Sequence, residues 1–136
     1  MLMPYITSFY AALLTFLYLV LSANVIRGRL RYRIGLGDAG QDVMRRLVRS
    51  HGNFAEYVPL ALLLMLLLEM TGHGPVALHA LGALLLVGRV SHALGLGLTD
   101  GPSPWRLIGM LCTFAVLAVG AVLLLKLALT AWLFVD

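Results

Sequence analysis

The stretch Arg49–Met70, "RSHGNFAEYVPLALLLMLLLEM", decides how the chain is read. Its second half, Leu60–Met70, is apolar except for Glu69, and so suits hydrocarbon better than water. Its first half carries Arg49, His51, Asn53 and Glu56 toward that same apolar phase. A polar group placed in hydrocarbon without a partner costs several kcal/mol at the upper end of about 2–7. The segment therefore has a membrane character and a polar cluster that must be accounted for.

The whole chain shares the membrane character. Of its 136 residues, 61% are hydrophobic and 12% charged, and the mean hydropathy is +0.96. Soluble domains hold roughly 45–50% apolar and about 25% charged residues. A globule of this length still exposes much of its surface, so an excess of this size cannot all be hidden in a core. The composition predicts an all-α integral membrane protein, with residues 1–136 forming one four-span domain. The lone Cys112 lies in an apolar run and forms no intrachain disulfide, which suits a small lipid-facing or core residue.

Four apolar stretches are long enough to cross about 30 Å of hydrocarbon, which takes roughly 20 helical residues. They run from about 5 to 26, 54 to 70, 76 to 96 and 107 to 134. The segment before the second, 38–53, extends it as helix beyond the bilayer. "TGHGP" (Thr71–Pro75) is a tight turn, and "GLTDGPSPW" (Gly97–Trp105) is the next loop. The first stretch is too long for a signal-peptide core and has no basic leader, so it is expected to remain.

The net charge of +4 does not point to nucleic acid, because seven of the ten basic residues fall between Arg27 and Arg49. Arginines beside an apolar helix mark the cytoplasmic side. Both termini and the His73 turn are then expected outside, and the 97–106 loop inside. Compact loops suggest a bacterial inner membrane. Glu69 and Lys126 fit as snorkelling residues near the outer ends of their spans.

Arg49, Asn53 and Glu56 are spaced i, i+4, i+7 and share a helix face, with His51 and Tyr57 beside it. Arg89 and His92 are spaced i, i+3 within the third span. Glu56 lies 13 residues before Glu69, and Arg89 lies 13 after Val76. At about 1.5 Å per residue both sit about 20 Å from the turn, so a Glu56–Arg89 pair is geometrically reasonable. Two readings stay open. The cluster is an internal ion-pair network that fixes helix register, or it is one wall of an anion site. The second draws on the cation surplus of Arg29, Arg33, Arg49, Arg89 and Arg106, set against Glu56 as the one embedded carboxylate. No pair of histidines has metal-ligand spacing with a supporting carboxylate, and no serine or cysteine hydrolase constellation is present.

Taken in order, "VIRGRLRYRI", "RSHGNFAEYVP", "GRVSH" and "PWR" resemble the MAPEG family of membrane-associated proteins in eicosanoid and glutathione metabolism. The likeness covers nearly the whole chain. Its most specific piece is Arg-x-x-x-Asn-x-x-Glu-Tyr-x-Pro, here Arg49, Asn53, Glu56, Tyr57 and Pro59. The resemblance implies a homotrimer with glutathione as co-substrate at the cytoplasmic end of each subunit interface. It puts Arg49, Asn53, Glu56 and Tyr57 around the tripeptide, with Arg29 and Arg33 from the first span and His92 from the third, and the cation surplus adds Arg89 to the binding residues. It puts Arg106 beside the sulfur, where a guanidinium favours the nucleophilic thiolate. Leu96 and Met110 stand where some members have tyrosine, Leu107 departs from the pattern after Arg106, and Gly52 stands where some have arginine. The implied activity is conjugation or peroxide reduction on lipophilic electrophiles. A non-catalytic membrane binding protein and a purely structural bundle are the alternatives.

Overall fold

A computed structural model of the chain describes residues 3–98 and 102–134. Four helices follow one another: α1 (Tyr5–Tyr32), α2 (Asp42–Met70), α3 (Pro75–Leu98) and α4 (Pro104–Phe134). With 24 to 31 residues each, they reach well past the roughly 20 residues a crossing requires. All four contain an apolar stretch of membrane-spanning length. The protein is an all-α, multi-pass membrane bundle, and no strand occurs among the described residues.

The helices run further than hydropathy alone predicts. α1 continues through Arg27, Arg29 and Arg31 and ends where Arg33 turns left-handed at φ 55°, returning its N–H to the Arg29 carbonyl. α2 begins at Asp42, four residues later than the 38–53 extension expected from sequence, and passes through Pro59 without breaking. α3 and α4 both open on proline, whose missing N–H is one the first turn leaves unpaired anyway. The turn joining α2 to α3 closes with the Gly72 and His73 N–H groups donating to the Glu69 and Leu68 carbonyls. Residues 99–101 of the loop expected between α3 and α4 lie outside the described residues.

α2 and α3 form the middle of the bundle. Both α1 and α4 pack against both of them, while α1 and α4 do not touch each other among the described residues. The inward stripe of α2 is Phe54, Val58, Ala61, Met65 and Leu68, a helical repeat that meets Leu78, Leu81 and Leu85 of α3. Tyr10, Leu14 and Leu21 close one side and Val116 the other. Only 17% of the most apolar window of α1 and 22% of that of α4 is buried in the chain, against 44% for α3. The outer faces are therefore the ones left for lipid or for another chain.

Two contacts set how the helices are rotated about their axes. The Tyr10 ring lies where a Cβ on Gly82 would stand. Gly88 and Gly109 bring α3 and α4 so close that a Cβ on Gly109 would fall within 2.7 Å of the His92 backbone nitrogen. In lipid, where apolar surface alone does not drive helices together, such close approach supplies much of the attraction.

Glu69 does something other than snorkel. Its carboxylate accepts from the backbone N–H groups of Ile6 (2.8 Å) and Thr7 (2.7 Å) in the first turn of α1. That turn has no acidic residue and no side-chain cap of its own. A helix N-terminus leaves N–H groups unpaired and favours negative charge, so α2 supplies from its last turn what α1 lacks. Lys126 is exposed on α4.

Candidate functional site

The start of α2 carries Arg46, Arg49 and Asn53 at i, i+3, i+7, so they line up on one side of the helix. That side opens on a cleft of about 180 Å³ lined by Arg45, Arg46, Arg49, Asn53, His92, Leu96 and Arg106. α2 thus supplies four of these residues, α3 two and α4 one. His92 is buried, whereas the Arg49 side chain is 63% exposed. Of the site residues expected from sequence, the fold brings Arg49, Asn53, His92 and Arg106 together.

Arg89 lies behind this cleft rather than in its lining. It is 1% exposed, in the half of α3 away from the turn. Its Nη2 donates to Asn53 Oδ1 at 2.7 Å and approaches His92 Nδ1 at 3.4 Å. Its Nη1 reaches Thr113 Oγ1 at 3.4 Å, and Thr113 in turn donates to the Gly109 carbonyl at 2.8 Å. The Phe54 ring lies 5.7 Å from the guanidinium carbon, a cation–π distance. The Nε atom is buried without a hydrogen-bond partner. Among the described residues no carboxylate stands within ion-pair distance of this guanidinium.

The expected Glu56–Arg89 pair is therefore not formed in the chain. Glu56 is 53% exposed and its carboxylate lies 3.9 Å from Arg49 of its own helix. Matching depth was a sound inference, but depth fixes only height. Residues seven apart on an α-helix differ by only about 20° in direction, so Glu56 points where Arg49 points. Asn53 is turned inward and takes the place beside Arg89.

The other expected site residues stand apart from the cleft. Arg29 donates to the Gly37 carbonyl at 3.4 Å. Arg33 is exposed at the end of α1. Tyr57 packs edge-on against Phe114 of α4, with ring centroids 5.6 Å apart. His51 faces α1, stacked on Tyr18 at 4.7 Å and 3.1 Å from Ser22 Oγ, and so fastens α2 to α1.

Sequence reasoning passed over Arg45, Arg46 and Thr113 as site residues. The first two had been assigned to topology alone, although Arg46 shares the i, i+3, i+7 stripe of Arg49 and Asn53. Thr113 follows Arg106 and Gly109 at the same spacing on α4, and that polar-and-small stripe was the available signal. A second, more apolar hollow of about 650 Å³ adjoins the cleft, lined by Pro102, Ser103, Pro104, Leu107 and Met110 together with His92 and Arg106. His92 and Arg106 are thus shared by a cationic cleft and an apolar hollow. The electrostatics favour an anion, and the neighbouring wall favours an apolar group.

Comparison with known proteins agrees with this architecture. The sequence model of the MAPEG family matches residues 7–126. The chain is 37% identical over 112 residues to the inner membrane protein YecN of Escherichia coli (strain K12), covering 82% of this chain and 84% of that protein. YecN of Escherichia coli O6:H1 (strain CFT073) matches to the same extent, again 37% over 112 residues.

Proposed function

The chain belongs to the MAPEG family, and from that premise we propose that it is an inner-membrane enzyme using glutathione to conjugate or reduce lipophilic electrophiles. The observation that supports this most is the pairing of a cationic cleft with an apolar hollow across His92 and Arg106. Glutathione carries two carboxylates and an ammonium, and guanidinium groups bind carboxylates in a matched fork geometry. Arg45, Arg46 and Arg49 hold a carboxylate, and Arg106 stands by the sulfur and favours the thiolate.

The electrophile enters the apolar hollow from the bilayer. In conjugation the thiolate forms a carbon–sulfur bond as the leaving group departs with its electron pair. In peroxide reduction two glutathione thiols become a disulfide while the hydroperoxide becomes alcohol and water. Glu56, with its half-exposed carboxylate, takes the ammonium at the chain's outer face. Arg29, Arg33 and Tyr57 complete the site in a homotrimer, where one copy's α1 end approaches its neighbour's α2. Arg89 acts from behind through Asn53 and His92.

The test is purified protein titrated with glutathione and assayed with a chlorinated nitrobenzene, beside Arg106→Ala and Glu56→Ala. Arg106→Ala is expected to lower kcat about a hundredfold, in keeping with loss of a cation at a developing charge. Glu56→Ala is expected to weaken binding with little change in kcat. A parent protein that binds no glutathione overturns the proposal. Binding with no turnover, unchanged in Arg106→Ala, would make it a non-catalytic membrane binding protein.

A further inference from the structure

We propose that Arg89 is a positioning residue that sets the polarity of the cleft, making Asn53 and His92 present hydrogen-bond donors only. The cleft then accepts an acceptor-only anionic group, a carboxylate or a thiolate, and excludes an ammonium. This deepens the glutathione reading and rests on it for the identity of the anion, though not for the positioning itself.

The argument begins with what a guanidinium can do. It has five N–H donors, no acceptor, and no accessible neutral form. Any side-chain atom hydrogen-bonded to it must be an acceptor. The Asn53 atom 2.7 Å from Arg89 Nη2 is therefore the carbonyl oxygen. With its carbonyl turned to Arg89, Asn53, which lines the cleft, has its NH₂ as the group directed away from that guanidinium. The His92 nitrogen facing Arg89 is Nδ1, at 3.4 Å, so Nδ1 holds a lone pair and the neutral ring carries its proton on Nε2. Asparagine and histidine are each able to show a donor or an acceptor. With Arg89 behind them, both show donors.

Arg89 cannot easily relax this arrangement. Thr113 receives Nη1 from the α4 side with its own hydroxyl hydrogen committed to the Gly109 carbonyl. The Phe54 ring covers the guanidinium carbon from α2. A cation at membrane depth is costly and calls for a partner or a wet cavity, yet no described carboxylate provides one. An anion in the cleft, one neutral residue away, supplies the missing countercharge. An ammonium there would meet donors in front and a cation behind.

The first measurement needs no ligand. Long-range proton–nitrogen NMR of the full chain in nanodiscs reads the tautomer of each of its 4 histidines, with His92 identified by its loss in His92→Gln. An Nε2-protonated His92 is expected in the parent, and a mixture of tautomers in Arg89→Met. An Nδ1-protonated His92 in the parent, or the same tautomer in a folded Arg89→Met, overturns the proposal.

The second measurement uses Asn53→Asp, which gives Arg89 a carboxylate and turns the cleft wall from donor to acceptor. It is expected to melt no lower than the parent yet bind glutathione at least about tenfold more weakly, the scale of a lost hydrogen bond to a charged group. Undiminished binding in Asn53→Asp overturns the proposal, and this arm decides it if Arg89→Met does not fold. Glutathione diethyl ester and S-methylglutathione separate the two anions. Weakened binding of the ester assigns the cleft to a carboxylate, and weakened binding of the thioether assigns it to the thiolate. Full-strength binding of both overturns the acceptor-only cleft. A parent that binds no glutathione sinks the functional proposal, while the His92 tautomer still decides the role of Arg89.

Discussion

Where α1 begins and α2 ends, Glu69 meets two N–H groups that had no other partner, and Tyr10 shares a hydrogen bond with His79 at 3.2 Å. Toward the opposite end, Arg89 is buried with a partnerless Nε, and Arg49 has a carboxylate only at 3.9 Å. The first region pairs its carboxylate within the chain, and of its buried polar side-chain atoms only the Thr7 hydroxyl is left without a hydrogen-bond partner among the described residues. The second gathers Arg45, Arg46, Arg49 and Arg106 around a cleft with no described carboxylate in its lining, while Asp42 pairs with Arg45 and Glu56 lies near Arg49 outside that lining. A network that served helix register alone would resemble the first. The contrast between the two ends therefore separates polar groups that hold the fold from polar groups that, on the function proposed above, are arranged for a ligand.

Four substitutions sharpen or break that contrast. The largest effect is expected from Gly109→Ala, whose Cβ would fall within 2.7 Å of the His92 backbone nitrogen. Forcing α3 and α4 apart should cost about 3 kcal/mol and move His92 as well, so chemical denaturation and glutathione binding should both suffer. Unchanged binding in this variant would show that the cleft does not depend on the α3–α4 seam. Glu69→Ala should lower stability by about 2 kcal/mol, the scale of a lost charge-assisted cap, without altering glutathione affinity. If affinity fell with it, the closed end would not be purely structural.

Arg49→Ala is the mirror image. Its side chain is 63% exposed, so stability should change by less than about 0.5 kcal/mol while glutathione binds about tenfold more weakly. A loss of melting temperature without a loss of affinity would assign Arg49 to the fold. The smallest effect is expected from Arg33→Gly. Arg33 sits at φ 55°, a conformation that costs a side-chain-bearing residue about 1 kcal/mol, so glycine should raise stability by up to that amount in thermal denaturation.

Much of this was readable from the residues, and for definite reasons. Hydropathy marked all four spans because lipid imposes a length and a composition on any helix that crosses it. It underestimated α1, since arginines from 27 onward look like a loop by composition but cost nothing on a helix that has left the hydrocarbon. Of the site residues drawn from the sequence as one group, the fold brings Arg49, Asn53, His92 and Arg106 to one cleft and leaves Arg29, Arg33, Glu56, Tyr57 and Arg89 outside its lining. Arg45 and Arg46 were passed over because a positive-inside signal explains them without reference to a site. Thr113 was passed over because a lone hydroxyl in an apolar helix usually bonds its own backbone, as this one also does.

The amino-acid sequence by itself determined the number of spans, the height of each polar residue along its helix, and the family to which the chain belongs. Only the tertiary structure decided which polar groups meet. A sequence specifies the angle of a side chain about its own helix axis, but not how each helix is rotated toward its neighbours. That rotation is set by close packing, with Tyr10 over Gly82 and Gly88 against Gly109. It turned Asn53 rather than Glu56 toward Arg89, and it brought Glu69 to the first turn of α1.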